Sequence, residues 1–240
     1  DVIAFTGSAR TAELLQRHPV VAREAVRFTA ERDSLNASIL GPDATPDSPE
    51  FALFVKEVAK EMTVKAGQKC TAIRRALVPA PLIDAAQQAL SARLAKTVIG
   101  DPRVEGVRMG ALVGRAQLDD VRVKVAELAR QAPIVFGDPE HVELVGEGLE
   151  KGAFISPILM RADDPWATDA IHEVEAFGPV STLMPYRDLD DAVALANHGK
   201  GSLVLSAFTH DPDVARELVL GSASFHGRMA FIDRDCAGES

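Results

Sequence analysis

The chain has 240 residues, 47% of them hydrophobic and 25% charged, with a formal net charge of −9. That is a globular composition with enough chain for a sizeable core, and its acidic balance excludes a nucleic-acid or anionic-membrane surface, leaving a small molecule as the expected partner. No run nears the roughly 18 apolar residues of a membrane span and no leader pattern opens the chain, so a cytoplasmic location is expected.

The chain opens without a methionine on the apolar run Val2-Ile3-Ala4-Phe5 and closes just after Phe231-Ile232, so both ends read as cut from something longer. Residues 2–5 are predicted as a strand that turns at Thr6-Gly7-Ser8 into a helix over about 9–15. Strands follow at 26–30 and 37–40. Asp47-Ser48-Pro49-Glu50 carries helix-start chemistry, namely a capping side chain, proline in the first turn and glutamate at the capping-box position. The helix it opens runs towards Gly67, with Phe51, Phe54, Val55, Val58 and Met62 as one apolar stripe.

Cys70 follows in Gly67-Gln68-Lys69-Cys70-Thr71-Ala72, just past that helix. Glycine on one side and small residues on the other leave room for a substrate to approach the thiol, which reads as a nucleophile; the bland alternative is a small core residue. Further on, strands are predicted at 76–78, 133–136, 154–160, 180–186, 203–208 and 228–232, and helices at 81–98, 118–132, 188–197 and 211–220. Residues 137–152, rich in glycine and acid, read as a surface loop or hairpin. Short β-rich runs alternating with helical ones define an α/β class with an open, largely parallel sheet flanked by helices.

Basic residues are scattered in short pairs such as Arg74-Arg75 and form no patch. The two cysteines, Cys70 and Cys236, are too few for a disulfide framework and are expected as thiols, Cys236 without activating context. His172 and His226 lack partners at ligand spacing, so no metal site is expected.

Four short motifs in order carry a resemblance. Phe5-Thr6-Gly7-Ser8, Glu31 in Thr29-Ala30-Glu31, Gly67-Gln68-Lys69-Cys70 and Glu173-Val174-Glu175-Ala176-Phe177-Gly178-Pro179 are similar to the turn, base, nucleophile and ribose-gripping elements of the aldehyde dehydrogenase superfamily. Gly100-Asp101-Pro102 and Leu195-Ala196-Asn197 extend the match. Gln68 to Arg75 and Asp33-Ser34-Leu35-Asn36-Ala37 further resemble the branch that serves bacterial phenylacetate degradation, where Glu31 is followed by Arg32-Asp33-Ser34 instead of the Leu-Gly-Gly of most members.

The resemblance implies a catalytic-thiol domain over residues 41–240 and, over 1–40, a remnant of a Rossmann-like dinucleotide domain. The remaining cofactor domain, the oxyanion asparagine and a following hydratase domain are expected to lie outside this chain. It implies NAD- or NADP-dependent oxidation of an aldehyde, CoA-linked in this branch, through a cysteine thioester, with weak activity or none for this piece alone. Cys70 would be the nucleophile and Glu31 the base, 70 − 31 = 39 positions earlier and tuned by burial in a cleft. Glu175 would accept hydrogen bonds from ribose hydroxyls, Phe177 would pack on the nicotinamide, and Gly7 and Ser8 would meet pyrophosphate at a helix N-terminus. Glu173 reads as a surface charge. A homo-oligomer is expected; a non-catalytic scaffold pairing through the strand at 228–232, or a cofactor-free cysteine hydrolase, are the competing readings.

Overall fold

Short apolar runs alternating with capped helices produce, in a computed structural model describing residues 1–238, two units: Asp1–Ser34 and the chain from Leu35 onward. In the small unit, β1 (Val2–Thr6) pairs in parallel with β2 (Arg27–Glu31), and α1 (Ala9–Gln16) and α2 (Pro19–Arg23) make the crossover that a parallel pair needs. Ser8 caps α1, its Oγ accepting from the Thr11 N–H. The short α2 was not expected; Pro19 presets its first turn and the His18 ring caps it by accepting from the Val20 N–H.

The large unit runs β3 (Asn36–Leu40), α3 (Pro49–Thr63), β4 (Ile73–Pro79), α4 (Ile83–Leu94), α5 (Arg115–Leu128), β5 (Ile134–Phe136), β6 (Ile158–Arg161), α6 (Ala170–Glu173), β7 (Val180–Tyr186), α7 (Leu189–His198), β8 (Ser202–Phe208), α8 (Pro212–Ser222) and β9 (His226–Ile232). Its strands form one sheet in the order β5-β6-β7-β4-β3-β8-β9. The neighbours pair in parallel except for antiparallel β5–β6. The division before Leu35 makes β3 a central strand of this sheet, so the unit boundary falls ahead of the position expected at residue 40.

Because successive strand residues face opposite sides, Ala76 and Val78 pack with α3 and α4, whereas Leu77 joins the core under α5, α7 and α8. The stripe on α3 is buried as its spacing requires, with Phe54 set edge-on to Phe208 of β8 at 5.5 Å. Each such side chain stabilises the fold by about 2 kcal/mol.

Some expectations shift. Strand β6 begins at Ile158, not at 154, because Pro157 has no N–H to donate; pairing starts with Ile158 N–H to the Pro179 carbonyl. Ser48 is the α3 cap, so Glu50 sits one place short of the capping box. Instead Glu50 is buried and grips the Arg234 guanidinium at 2.9 Å through both oxygens, which holds its carboxyl below the usual range. Residues 137–152 are irregular, touching the rest through a Gly100–Val145 bridge, and form no hairpin.

Candidate active site

Helix α3 ends at Thr63, and the chain then makes a tight turn in which Lys65, Ala66 and Gly67 have φ of 54°, 51° and 68°. Consecutive left-handed residues, two of them with a Cβ, are strained and persist only where surrounding contacts impose them. Those contacts are present. A Cβ on Gly67 would lie 2.1 Å from the Gly178 carbonyl oxygen, so two loops meet there backbone to backbone. The Gln68 side chain accepts from the Val113 N–H and donates to the Lys65 carbonyl. Lys69 is ion-paired with Glu61 on α3.

Cys70 comes next and is exposed. Its carbonyl accepts from the Asn36 carboxamide at 2.9 Å, as does the Ala72 carbonyl, while Asn36 Oδ1 accepts from the Val204 N–H of β8. Asn36 sits at a register shift between β3 and β4 and is buried, so one side chain ties the thiol's backbone to two neighbouring strands. The thiol therefore stands at the amino end of central strand β4. Gly67→Ala is expected to cost at least about 2 kcal/mol in urea unfolding, because the new methyl must push the Gly178 backbone away and adopt a positive φ. An unchanged midpoint would show that the two loops are not in contact.

Arg74 and Arg75, a short basic pair in the sequence, are both buried. Arg74 donates to Glu175 Oε1 at 3.1 Å, to the Gly178 carbonyl at 2.7 Å and to the Gly67 carbonyl at 2.8 Å, with its guanidinium 5.5 Å from the Phe177 ring centre. It thus joins the Gly67 turn to the loop carrying Glu175 and Phe177, two of the expected cofactor residues. Glu175 is buried and Phe177 half-buried. Glu173 is exposed and paired with Lys200, as a surface charge should be.

Arg75 is fully buried and has no carboxylate partner among the described residues; it donates to the carbonyls of Leu35, Leu195 and Ala196 at 2.8–2.9 Å. Two of these carbonyls belong to the last turns of α7, where a cation meets the negative end of the helix dipole. Burial pulls its pKa down to about 10, so it remains charged at neutral pH. Its Nη1 also lies 3.2 Å from His172 Nδ1. A guanidinium only donates, so that ring nitrogen must be unprotonated, while Nε2 donates to the Pro165 carbonyl at 2.8 Å. His172 is therefore a neutral core histidine.

Burial, then Arg75 and His198, drive the His172 pKa down to about 4, and burial does the same for His226. A histidine whose folded pKa lies below its unfolded value of about 6.5 stabilises fully above that pH and loses this contribution as pH falls towards 4. The urea midpoint should therefore start to drop below pH 6.5, ahead of the losses that the carboxyls of Glu50 and Asp191, held low mainly by Arg234 and Arg187, begin only as pH falls below their ordinary values of 4.5 and 3.8. His172→Gln, which keeps an acceptor and a donor but no titration, should flatten part of that slope; an identical slope would contradict the assignment.

The small unit holds the other expected site residues. Glu31 ends β2 and is exposed, so the burial expected to tune a base is not found there. The Gly7 N–H donates to the Glu31 carbonyl at 3.0 Å and the Ala9 N–H to Asp33 at 2.9 Å. A Cβ on Gly7 would strike the Phe5 ring at 2.6 Å. Asn36, Arg74 and Arg75 are the residues that the sequence reading did not single out.

The large unit is thus an α/β fold with an exposed cysteine at the head of a central parallel strand, and the comparisons give the chain's kinship. The aldehyde dehydrogenase family profile matches residues 1–222, and the chain belongs to the aldehyde dehydrogenase family. The 3,4-dehydroadipyl-CoA semialdehyde dehydrogenase of Aromatoleum evansii is 48% identical over 233 residues, which are 97% of this chain and 45% of that protein. Protein MaoC of Klebsiella aerogenes is 40% identical over 133 residues, 55% of this chain and 38% of that protein.

Among solved structures, a mutant aldehyde dehydrogenase C of Pseudomonas syringae complexed with NAD+ and octanal superposes with a TM-score of 0.81 at 26% identity, covering 96% of this chain and 45% of that one. Betaine aldehyde dehydrogenase of Staphylococcus aureus in complex with NAD+ gives 0.83 at 25% identity, over 97% and 44%. The chain thus spans less than half the length of these relatives. Among the described residues no helix is long and apolar enough to cross a membrane.

Proposed function

We propose that Cys70 is the nucleophile in the oxidation of an aldehyde, with Glu31 as the base and with Glu175, Phe177, Gly7 and Ser8 contacting a nicotinamide nucleotide. The observation that supports this most is the fixed, exposed presentation of Cys70 by Asn36, Gly67 and Gln68. In the reaction Cys70 Sγ, having lost its proton, adds to the carbonyl carbon to give a thiohemiacetal. When bound, the nucleotide supplies the hydride acceptor. Loss of hydride leaves a thioester on Cys70; Glu31 takes a proton from water, whose oxygen attacks the thioester carbon, releasing the acid and the thiol.

A carboxylate beside an aromatic ring suits a ribose and a nicotinamide, which favours Glu175 and Phe177 for that role, and Arg74 fixes both in place. The NAD+ in the solved relatives supports a nicotinamide nucleotide here, either NAD or NADP. The Aromatoleum relative's name supports a CoA-linked semialdehyde as substrate. A second copy would pair along the edge strand β9, giving a homo-oligomer. The test is to supply a semialdehyde CoA thioester with NAD or NADP, follow nicotinamide reduction, and weigh the protein afterwards. Glu31→Gln should accumulate an acyl adduct on Cys70, and hydrolysis at the unaltered rate would remove Glu31 from the base role.

A further inference from the structure

A groove of about 730 Å³ lies between α3 and α4, with a size in the range of small-molecule sites. Its floor is apolar, built from side chains such as Val55 and Ala59 of α3 and Ala89 of α4. Around it stand Lys60, Arg93, Lys96 and Arg108, and no carboxylate lines it. Lys60 shares its charge with Glu57 at 3.2 Å on its own helix. Arg93, Lys96 and Arg108 are exposed, and among the described residues their side chains make no hydrogen bond or ion pair. In a chain of net charge −9, a lining with three cations beside the Glu57-shared Lys60 and no carboxylate of its own reverses the sign of the local field, and a concave wall concentrates it.

We propose that this groove holds the phosphate-bearing nucleotide end of a coenzyme A thioester; the inference rests on the reading of the substrate as CoA-linked. The three phosphate groups of that end match the cationic rim, and the apolar floor suits an adenine face or the first part of the pantetheine arm. The groove wall also reaches Thr63 and Val64, and Val64 precedes Cys70 by only 70 − 64 = 6 residues. That separation limits the two backbones to about 22 Å apart, a span for the flexible arm to bridge. NAD carries only two phosphate groups, and NADP, which carries three, has no such arm, so it is the arm along the apolar floor that favours CoA over NADP here.

The test is calorimetric titration of the whole chain with CoA, dephospho-CoA and NADP at low and high salt. It is repeated on the triple variant Arg93→Ser/Lys96→Ser/Arg108→Ser, on Lys96→Ser alone and on Cys70→Ser. CoA should bind, should weaken about tenfold or more in the triple variant and with added salt, and should bind better than the other two ligands. An unchanged thermal melt establishes that the triple variant is folded; if it is not, the Lys96→Ser affinity alone decides. No CoA binding, equal binding to the variant, or preferential binding of NADP at the groove would overturn the proposal. Cys70→Ser should bind CoA as tightly as the unaltered chain. CoA binding without aldehyde oxidation would leave the groove standing while the thiol reading fell, and oxidation without CoA binding would do the reverse.

Discussion

Cys70→Ser is expected to abolish acyl transfer to the protein, lowering the rate with an activated ester or aldehyde by about 10⁴-fold, the scale of losing an essential nucleophile. The hydroxyl is a far weaker nucleophile at neutral pH, and the bond from Asn36 to the backbone carbonyl of residue 70 is one that serine keeps. Cys236→Ser provides the internal control. Cys236 is half-buried in the turn Arg234–Gly238 with its N–H bound to Asp233, and its removal should leave the rate unaltered. Equal losses in the two variants, or none in Cys70→Ser, would place the chemistry elsewhere.

Arg75→Met should cost about 3–5 kcal/mol in urea unfolding. The methionine fills the stem of the cavity, but the buried carbonyls of Leu35, Leu195 and Ala196 and the His172 ring nitrogen lose their donor together. Each acceptor left dry costs about 1–3 kcal/mol. The loss is partly offset because the guanidinium no longer has to be desolvated, the effect that lowers its pKa. Arg75→Lys should recover only part, since an ammonium cannot reach three carbonyls in one plane. A Met variant within about 0.5 kcal/mol of the unaltered chain would show that water satisfies those carbonyls.

These two residues also mark where the sequence was legible and where it was not. The exposed place of Cys70 just past a helix was readable because its neighbours are local: the glycine, the helix end and the small residues that follow are all within a few positions. Elements with explicit caps or continuous apolar runs, such as α7 behind Asp188 and β7, fall where periodicity put them. Arg75 was not readable, because a cation is buried only when acceptors converge on it, and its acceptors at Leu195 and Ala196 lie 120 and 121 residues away. Glu50 misled for a related reason: its position beside the cap suggested a local role, whereas Arg234 comes from the other end of the chain. The bound on Cys70 set by Asn36 depends on a register shift between β3 and β4, which no residue pattern announces.

Iodoacetamide labelling of Cys70 against Cys236, read by mass spectrometry from pH 6 to 9 with and without NAD or NADP, tests most directly whether Cys70 is a presented nucleophile. Cys70 should label many times faster than Cys236 across that range, with a rate that changes when nucleotide is added. Slow and equal labelling of the two thiols would contradict the account, leaving kinship with the aldehyde dehydrogenase family but no working nucleophile at Cys70.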